Sequence, residues 1–508
     1  MEDSLKKRYF FKLSTNLVGF AISLVTQAII PRGLGPKAYG DFNFLTNFFM
    51  QVVAFLDMGT SLCFYTKLAQ RPREATLISF YFYFFILISL NIGIFLLVAQ
   101  TSEKSNLLWP NQTLFYISCA AVWGILTWFI DILGKMADAY GITVSTEMVR
   151  MTQKVIGLPV LIMLFFLGKL SLTNFFFYHY GIMFFLIVAF IWVMNNKGYS
   201  LTQHWRLPAV QVKAYVKEFF TYSHPLFSFA LIAMVAGIFD RWLLQIFCGS
   251  VEQGFFGLSM QIGALCFLFT SAMAPLLTRE FAIAHDKGDL NHMVHLFQRY
   301  LPLLYSIAAY FSCFIAVQAK KVVFLMGGRN FAGAVAAVAI LAFYPIHQTY
   351  GQLTGAFFYA TGKTALYRNV GIIFLILGLP MTYFLIAPGA KMGLDAGAMG
   401  LSIKMVLIQV VAVNVLLYFS TRYLGLSFWR YLRHQLGCVA SLLITAWLVM
   451  VGVDHIPGVQ DNVVPSFLIA GLIYSVLVLA LCYVQPMIFG MKREDVNSLL
   501  QLALARLR

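Results

Sequence analysis

Charge is what this chain has least of. Only 11% of its 508 residues are Asp, Glu, Lys or Arg, while 60% are hydrophobic; soluble domains carry about 25% and 45–50%. So little polar surface over such a length excludes a string of soluble domains. Cysteine offers no framework either. The seven cysteines are scattered without a C-x-x-C pair, and Cys63, Cys119, Cys266 and Cys313 lie in apolar runs. That excludes a zinc knuckle or a disulfide scaffold and makes these side chains small buried hydrophobes. The longest loops, about 195–221 and 279–299, offer His204, Glu218, His285, Asp286, Asp289, His292 and His295. No His-Glu-x-x-His or Asp-x-Asp pattern accompanies them, so they read as solvated loop residues. The chain is expected to be no enzyme, with no catalytic residue, no metal site and no bound cofactor.

What is present is long apolar sequence. A transmembrane helix needs about 20 mostly apolar residues. About fourteen stretches qualify, near 10–31, 39–65, 77–99, 113–134, 145–167, 173–194, 222–247, 254–278, 300–318, 332–358, 368–387, 397–419, 435–453 and 464–489. Lys6-Lys7-Arg8 before Phe10–Ile30 imitates a secretory signal. The apolar stretch is too long for one, however, and Ile29-Ile30-Pro31-Arg32 is a poor cleavage site, so an uncut first span is expected. Lysine and arginine collect on alternate loops with roughly a threefold bias, which places both termini in the cytoplasm and requires an even number of spans. Most of the net charge of +16 is therefore topological. It draws the inner face toward anionic membrane lipids. Dispersed over loops, it gives no stripe for nucleic acid.

Three cytoplasmic segments have amphipathic spacing and are expected to lie along the membrane surface. After Pro208, Val212, Val216, Phe219 and Phe220 oppose Gln211, Lys213, Lys217 and Glu218. Asp289 is placed to cap a helix bearing Leu290, Met293, Val294 and Phe297 on one face. The tail sets Val496, Leu499, Leu500, Ala503 and Leu507 at helical spacing.

Several charges interrupt the spans, and a charge near the bilayer centre costs about 2.5–3.5 kcal/mol even on the lenient insertion scale. Glu147, Arg150 and Lys154 share one helix face in span 5. The apolar run after them, residues 155–167, covers roughly 20 Å of a hydrocarbon core of about 30 Å. Arg150, Lys154 or both must therefore sit at membrane depth, facing a cavity or snorkelling to the surface. The same choice holds for Arg241, beside Asp240 late in span 7, and for Lys404 early in span 12. Adjacent on a helix, Asp240 and Arg241 point about 100° apart and are not expected to pair. Lys12 lies at the inner boundary, where an anchor is the usual role. Asp57 in span 2 reads as a lone carboxylate that pairs with a cation or binds H⁺ or Na⁺.

Two turns repeat. Gly35 and Gly40 follow span 1, Gly249 and Gly254 follow span 7, and both pairs are five apart. The first glycine of each suits a left-handed helix cap and the second a close turn. Equal spacing six spans apart favours two parallel repeats of six, with spans 13 and 14 added. The expected fold is thus an all-α integral membrane protein of two six-helix lobes and two extra C-terminal helices. The lobes are 1–200 and 201–425, and 426–508 holds the added helices and the amphipathic tail.

The sequence resembles the multidrug/oligosaccharidyl-lipid/polysaccharide (MOP) exporter superfamily, and within it the polysaccharide transporters that include O-antigen flippases. The likeness runs in order over about residues 5–420. It rests on Pro31-Arg-Gly-Leu-Gly-Pro-Lys-Ala-Tyr-Gly40, Phe239-Asp240-Arg241 with Leu243-Leu244, Gly254-Phe-Phe-Gly257, Pro275 and Gly288-Asp289. Further pieces are Gly327-Gly328-Arg-Asn-Phe331 with Ala334, and Gly397-Ala-Met-Gly400. The resemblance implies two lobes around a central cavity, alternating access, and a lipid-linked oligosaccharide as cargo in a bacterial cytoplasmic membrane. It also implies a monomer that cooperates with polysaccharide polymerase and chain-length machinery. Cations on spans 1, 5, 7 and 12 (Lys12, Arg150, Lys154, Arg241 and Lys404) would then bind the anionic head, which cannot cross apolar interior uncompensated. Two alternatives within the superfamily are a cation-coupled multidrug exporter and a peptidoglycan-precursor flippase. Lipid II flippases place several arginines in their first two spans, and here those spans have none, Arg32 lying at the outer end.

Overall fold

The computed structural model describes residues 5–72, 74–101, 105–199, 207–224, 227–266, 268–459, 462–491 and 493–494. All regular structure among them is helical. In chain order the helices are α1 (Leu5–Asp57), α2 (Thr60–Gln70), α3 (Ala75–Thr101), α4 (Ser105–Leu108), α5 (Leu114–Ala139), α6 (Thr143–Phe166), α7 (Leu172–Asn196), α8 (Ala209–Ser223) and α9 (Phe227–Leu265). Then come α10 (Leu268–Asp286), α11 (Leu290–Val317), α12 (Ala319–Gly327), α13 (Val335–Leu341), α14 (Tyr344–Ala360), α15 (Thr364–Ile386), α16 (Gly397–Tyr423), α17 (Phe428–Asp454) and α18 (Val463–Val484). Ten are long and apolar enough to cross a membrane. The count is twelve when two bent pairs, α1 with α2 (51°) and α13 with α14 (40°), are each taken as one span. This is a multi-pass membrane protein.

Among the described residues, the apolar stretches read from sequence fall on helices, and the differences lie at the breaks. α1 passes through Gly35 (φ 72°, ψ 169°) and α9 through Gly249 (φ 78°, ψ −173°). The positive φ is one that only glycine adopts freely. With ψ near 180°, these are extended kinks from which the helix resumes, not left-handed caps. The segment after Asp289 also differs from expectation. Asp289 does cap a helix, its Oδ1 accepting from the His292 backbone N–H at 2.9 Å. That helix is not a separate surface element: it continues as the 28-residue α11. Met293 and Phe297 are buried in the protein rather than laid on lipid, which fixes its direction. His292 and His295 are exposed. The amphipathic tail, 496–507, lies outside the described residues.

The chain divides into two compact units, Met1–Gly254 and Phe255–Arg508. The first is built around aromatic packing of Phe44, Phe49, Phe64, Tyr81, Trp109 and Phe190. Its surface helix α8 buries Tyr215 and Phe219, whose rings meet Phe80. Glu218 on α8 is held by Lys67 (2.9 Å) and Arg71 (2.8 Å) at the end of α2. These ion pairs turn α8 so that Phe219 faces protein, while Val216 and Phe220 point outward, a division the sequence had merged into one face. In the second unit Tyr305, Tyr350, Phe297 and Phe357 form the centre, and Cys438, Leu442, Ala446 and Tyr474 of α17 and α18 complete the same core.

Candidate functional site

Three of the four cations lie against a glycine of a neighbouring helix, and the fourth, Arg241, bonds a glutamine. Arg150 of α6 reaches α5, where a Cβ on Gly134 would stand 2.6 Å from its Nη2. Its guanidinium also lies over the Phe190 ring of α7, 5.5 Å from the centroid. Lys154, one turn on, lies across α1, and a Cβ on Gly19 would stand 2.6 Å from its Nζ. In the second unit Lys404 of α16 is only 6% exposed. Its Nζ is 3.2 Å from where a Cβ on Gly378 of α15 would lie. Lys404 is thus held within the protein rather than on its surface. Arg241 donates from Nη1 to Gln253 Oε1 at 3.2 Å, and Gln253 Nε2 donates back to the Arg241 carbonyl. Tyr39 and Asp240 lie within electrostatic reach of that guanidinium.

A lysine or arginine stem crossing a helix flank needs room that any side chain would fill, so the glycines are integral to the arrangement. Glu147 lies at i−3 from Arg150 and is half-buried. Among the described residues, no carboxylate is within ion-pairing distance of Arg150 or Lys154. Cations held this way have unused capacity for an anion. The backbone of Lys12 belongs to α1; its side chain lies outside those described.

Asp57 is not the lone carboxylate expected. Its Oδ1 accepts from Thr60 Oγ1 (3.1 Å), the Ser61 backbone N–H (3.1 Å), Tyr81 Oη (3.2 Å) and Trp128 Nε1 (3.2 Å), and its Oδ2 from Ser61 Oγ (2.8 Å). Lys135 Nζ donates to the same Ser61 hydroxyl at 2.6 Å and pairs with Asp131 at 2.7 Å. The backbone explains the crowding. Met58 (φ 42°) and Gly59 (φ 77°) take positive φ where α1 gives way to α2. A non-glycine residue there costs about 1–2 kcal/mol, and Asp57 offsets this by capping the new helix.

The two glycine turns interlock within the first unit. A Cβ on Gly40 would fall 1.7 Å from the Ser250 carbonyl oxygen, and one on Gly254 would fall 2.1 Å from that of Pro36. Asp41 accepts from Ser250 Oγ and from Gln112 Nε2. Gln245 Nε2 and Trp242 Nε1 donate to the carbonyls of Pro110 (3.2 Å) and Leu107 (2.7 Å). A third turn repeats the five-residue spacing. Gly328 (φ 72°, ψ −168°) precedes Gly333, whose added Cβ would meet the Phe255 ring at 2.6 Å. Sequence reasoning carried Gly327-Gly328 only as part of the resemblance and did not notice the five-residue spacing from Gly328 to Gly333. It also missed Gly19, Gly134 and Gly378, isolated glycines in apolar helices, which are signals of close packing.

Solved structures share this architecture, among them the following three. The lipid II flippase MurJ in an inward closed conformation matches with a TM-score of 0.66 at 11% identity, over 94% of this chain and 98% of its own. An inward-facing multidrug resistance MATE family transporter of the MOP superfamily matches at 0.62 and 15%, over 81% and 95%. A MOP superfamily transporter from Pyrococcus furiosus, described by a binding pocket of reversed polarity, matches at 0.55 and 15%, over 83% and 96%. The chain has the fold of MOP superfamily transporters. No protein-family model matches it, and no curated protein does by sequence. The proteins named are transporters and a flippase.

Proposed function

We propose that this chain is a flippase that moves a polyprenyl-pyrophosphate-linked oligosaccharide across a bacterial cytoplasmic membrane by alternating access. The O-antigen or exopolysaccharide repeat unit is the cargo class. The observation that supports this reading is that Arg150, Lys154 and Lys404, cations inside otherwise apolar helices, pack against glycines of neighbouring helices, and Arg241 bonds Gln253. An isolated phosphate in low dielectric is prohibitively costly, so a polar headgroup needs fixed positive charge along its path. Arginine supplies a bidentate fork and lysine a point charge. The likeness to a lipid II flippase over nearly the whole chain supports a lipid-borne cargo. Both termini are placed in the cytoplasm, with fourteen spans if the kinks at Gly35 and Gly249 each separate one span from the next. The chain works as a monomer alongside polymerase and chain-length proteins.

A cation-exporting multidrug transporter is disfavoured by the same surplus of positive charge, which repels cationic drugs. A peptidoglycan-precursor flippase is disfavoured by the absence of arginine from the first two spans. The test is deletion of this chain, with fractionation of lipid-linked saccharides by leaflet. The expected result is an oligosaccharide-pyrophosphate lipid trapped on the cytoplasmic leaflet, rescued by wild type but not by Arg150→Ala with Lys154→Ala expressed at equal level. Full rescue by that double variant would remove the assignment to α6.

A further inference from the structure

The second unit holds a titratable cluster that the cation set does not use. Tyr305 of α11 has the ring of His347 (α14) on one approach and that of His434 (α17) on another, each with centroids 6.0 Å away, and Tyr350 at 4.7 Å. These groups sit within the apolar core of the unit. The Nδ1 of His347, both ring nitrogens of His434, the Tyr350 hydroxyl and Gln352 Oε1 are buried without a full hydrogen bond. Buried polar atoms are nearly always satisfied, so a cluster of orphans calls for an explanation.

We propose that His347 and His434 form a proton-binding site that couples H⁺ to movement of α14 and α17 about α11. This rests on the transporter reading but concerns its energy source, which that reading leaves open. A protonated imidazole has two N–H donors. The Tyr305 ring, 6.0 Å from each imidazole by centroids, stands within reach of that charge. The place also has a mechanical reason. His347 lies in the first turn of α14, just past the 40° break from α13. A helix N-terminus opposes positive charge, so protonation works against the bent arrangement.

Arg430, on α17, is a charged group acting on His434, and the Ile488 backbone is its polar neighbour. Tyr305 and Cys313 of α11, Tyr344 and Tyr350 of α14, and Tyr431 and Cys438 of α17 are the other titratable groups of the region. Among the described residues, no ionisable group of α10, α13, α15 or α16 is seen to act on either ring. The cluster therefore responds to pH through the two imidazoles.

The experiment is hydrogen exchange on the purified full-length protein in nanodiscs, corrected for intrinsic rates and read over peptides of α13–α14 and α17. In wild type, protection should change by roughly tenfold per pH unit while the site titrates, the slope of one linked proton. His347→Gln with His434→Gln should flatten that slope, and His347→Asn alone should reduce it. The exposed His292→Gln should leave it intact. A wild type without the slope, or a double variant that keeps it, would overturn the proposal. Neither outcome bears on whether lipid-linked saccharide is flipped, which the deletion test reads separately.

Discussion

In the first unit Asp57 is met by five donors, whereas in the second His347 and His434 flank Tyr305 with ring nitrogens that no protein group fully meets. Both Asp57 and His347 lie beside a bent helix pair. A saturated carboxylate fixes its bend, because every donor must be given up to move it. An under-satisfied imidazole pair has few bonds to give up and, on the proposal above, leaves its bend free to respond. The contrast assigns rigidity to the α1–α2 break and movement to the α13–α14 break.

The largest effect should come from the interlocked turns, which the contrast treats as fixed. Gly40→Val or Gly254→Val forces a side chain into a carbonyl oxygen, and no monodisperse protein should survive extraction and size-exclusion chromatography. Next, Asp57→Ala orphans several buried donors at once and should destabilise the first unit by about 3 kcal/mol, read as a lower thermal midpoint. Asp57→Asn keeps the acceptor oxygen and should cost less. A variant at Asp57 that left the thermal midpoint unchanged would break the comparison. Lys404→Met, close in volume, should keep the fold and reduce cargo binding, checked by thermal shift with and without lipid. The smallest effect concerns Glu218. Burial pushes its carboxyl up, but Lys67 and Arg71 outweigh that and hold it below the usual range. A depressed carboxyl stabilises fully above its unfolded value of about 4.3 and loses that contribution as pH falls through the folded value. Docking of α8, followed by hydrogen exchange over its own peptides, should therefore weaken only below about pH 4, and Glu218→Gln should remove the dependence.

Much of this was legible in the residues. Hydropathy placed the helices. A positive φ at Gly35 and Gly249 was expected for a left-handed cap, but the extended ψ was not. What was not legible depends on side chains meeting across the fold. No local pattern tells that Gly134 and Gly19 open notches for Arg150 and Lys154, because the pairs are distant in sequence. Asp57 read as lone although Thr60 and Ser61 donate to it locally; only its donors Tyr81 and Trp128 arrive from the distant α3 and α5. His347 and His434, 87 positions apart by their numbering, gave no motif, since a pair spread over two helices has no spacing to notice. The continuity of α11 was hidden because an amphipathic start looks the same whether it ends at a surface or runs on into a span.

Whether Arg150, Lys154, Arg241 and Lys404 recognise a lipid's phosphates is read most directly by binding. Purified protein in detergent would be titrated with undecaprenyl pyrophosphate and, separately, with undecaprenol, following thermal stabilisation. The account predicts stabilisation by the pyrophosphate lipid well beyond that by the alcohol, lost in Arg150→Ala with Lys154→Ala. Equal stabilisation by the two lipids, or a double variant that responds as wild type does, would contradict it.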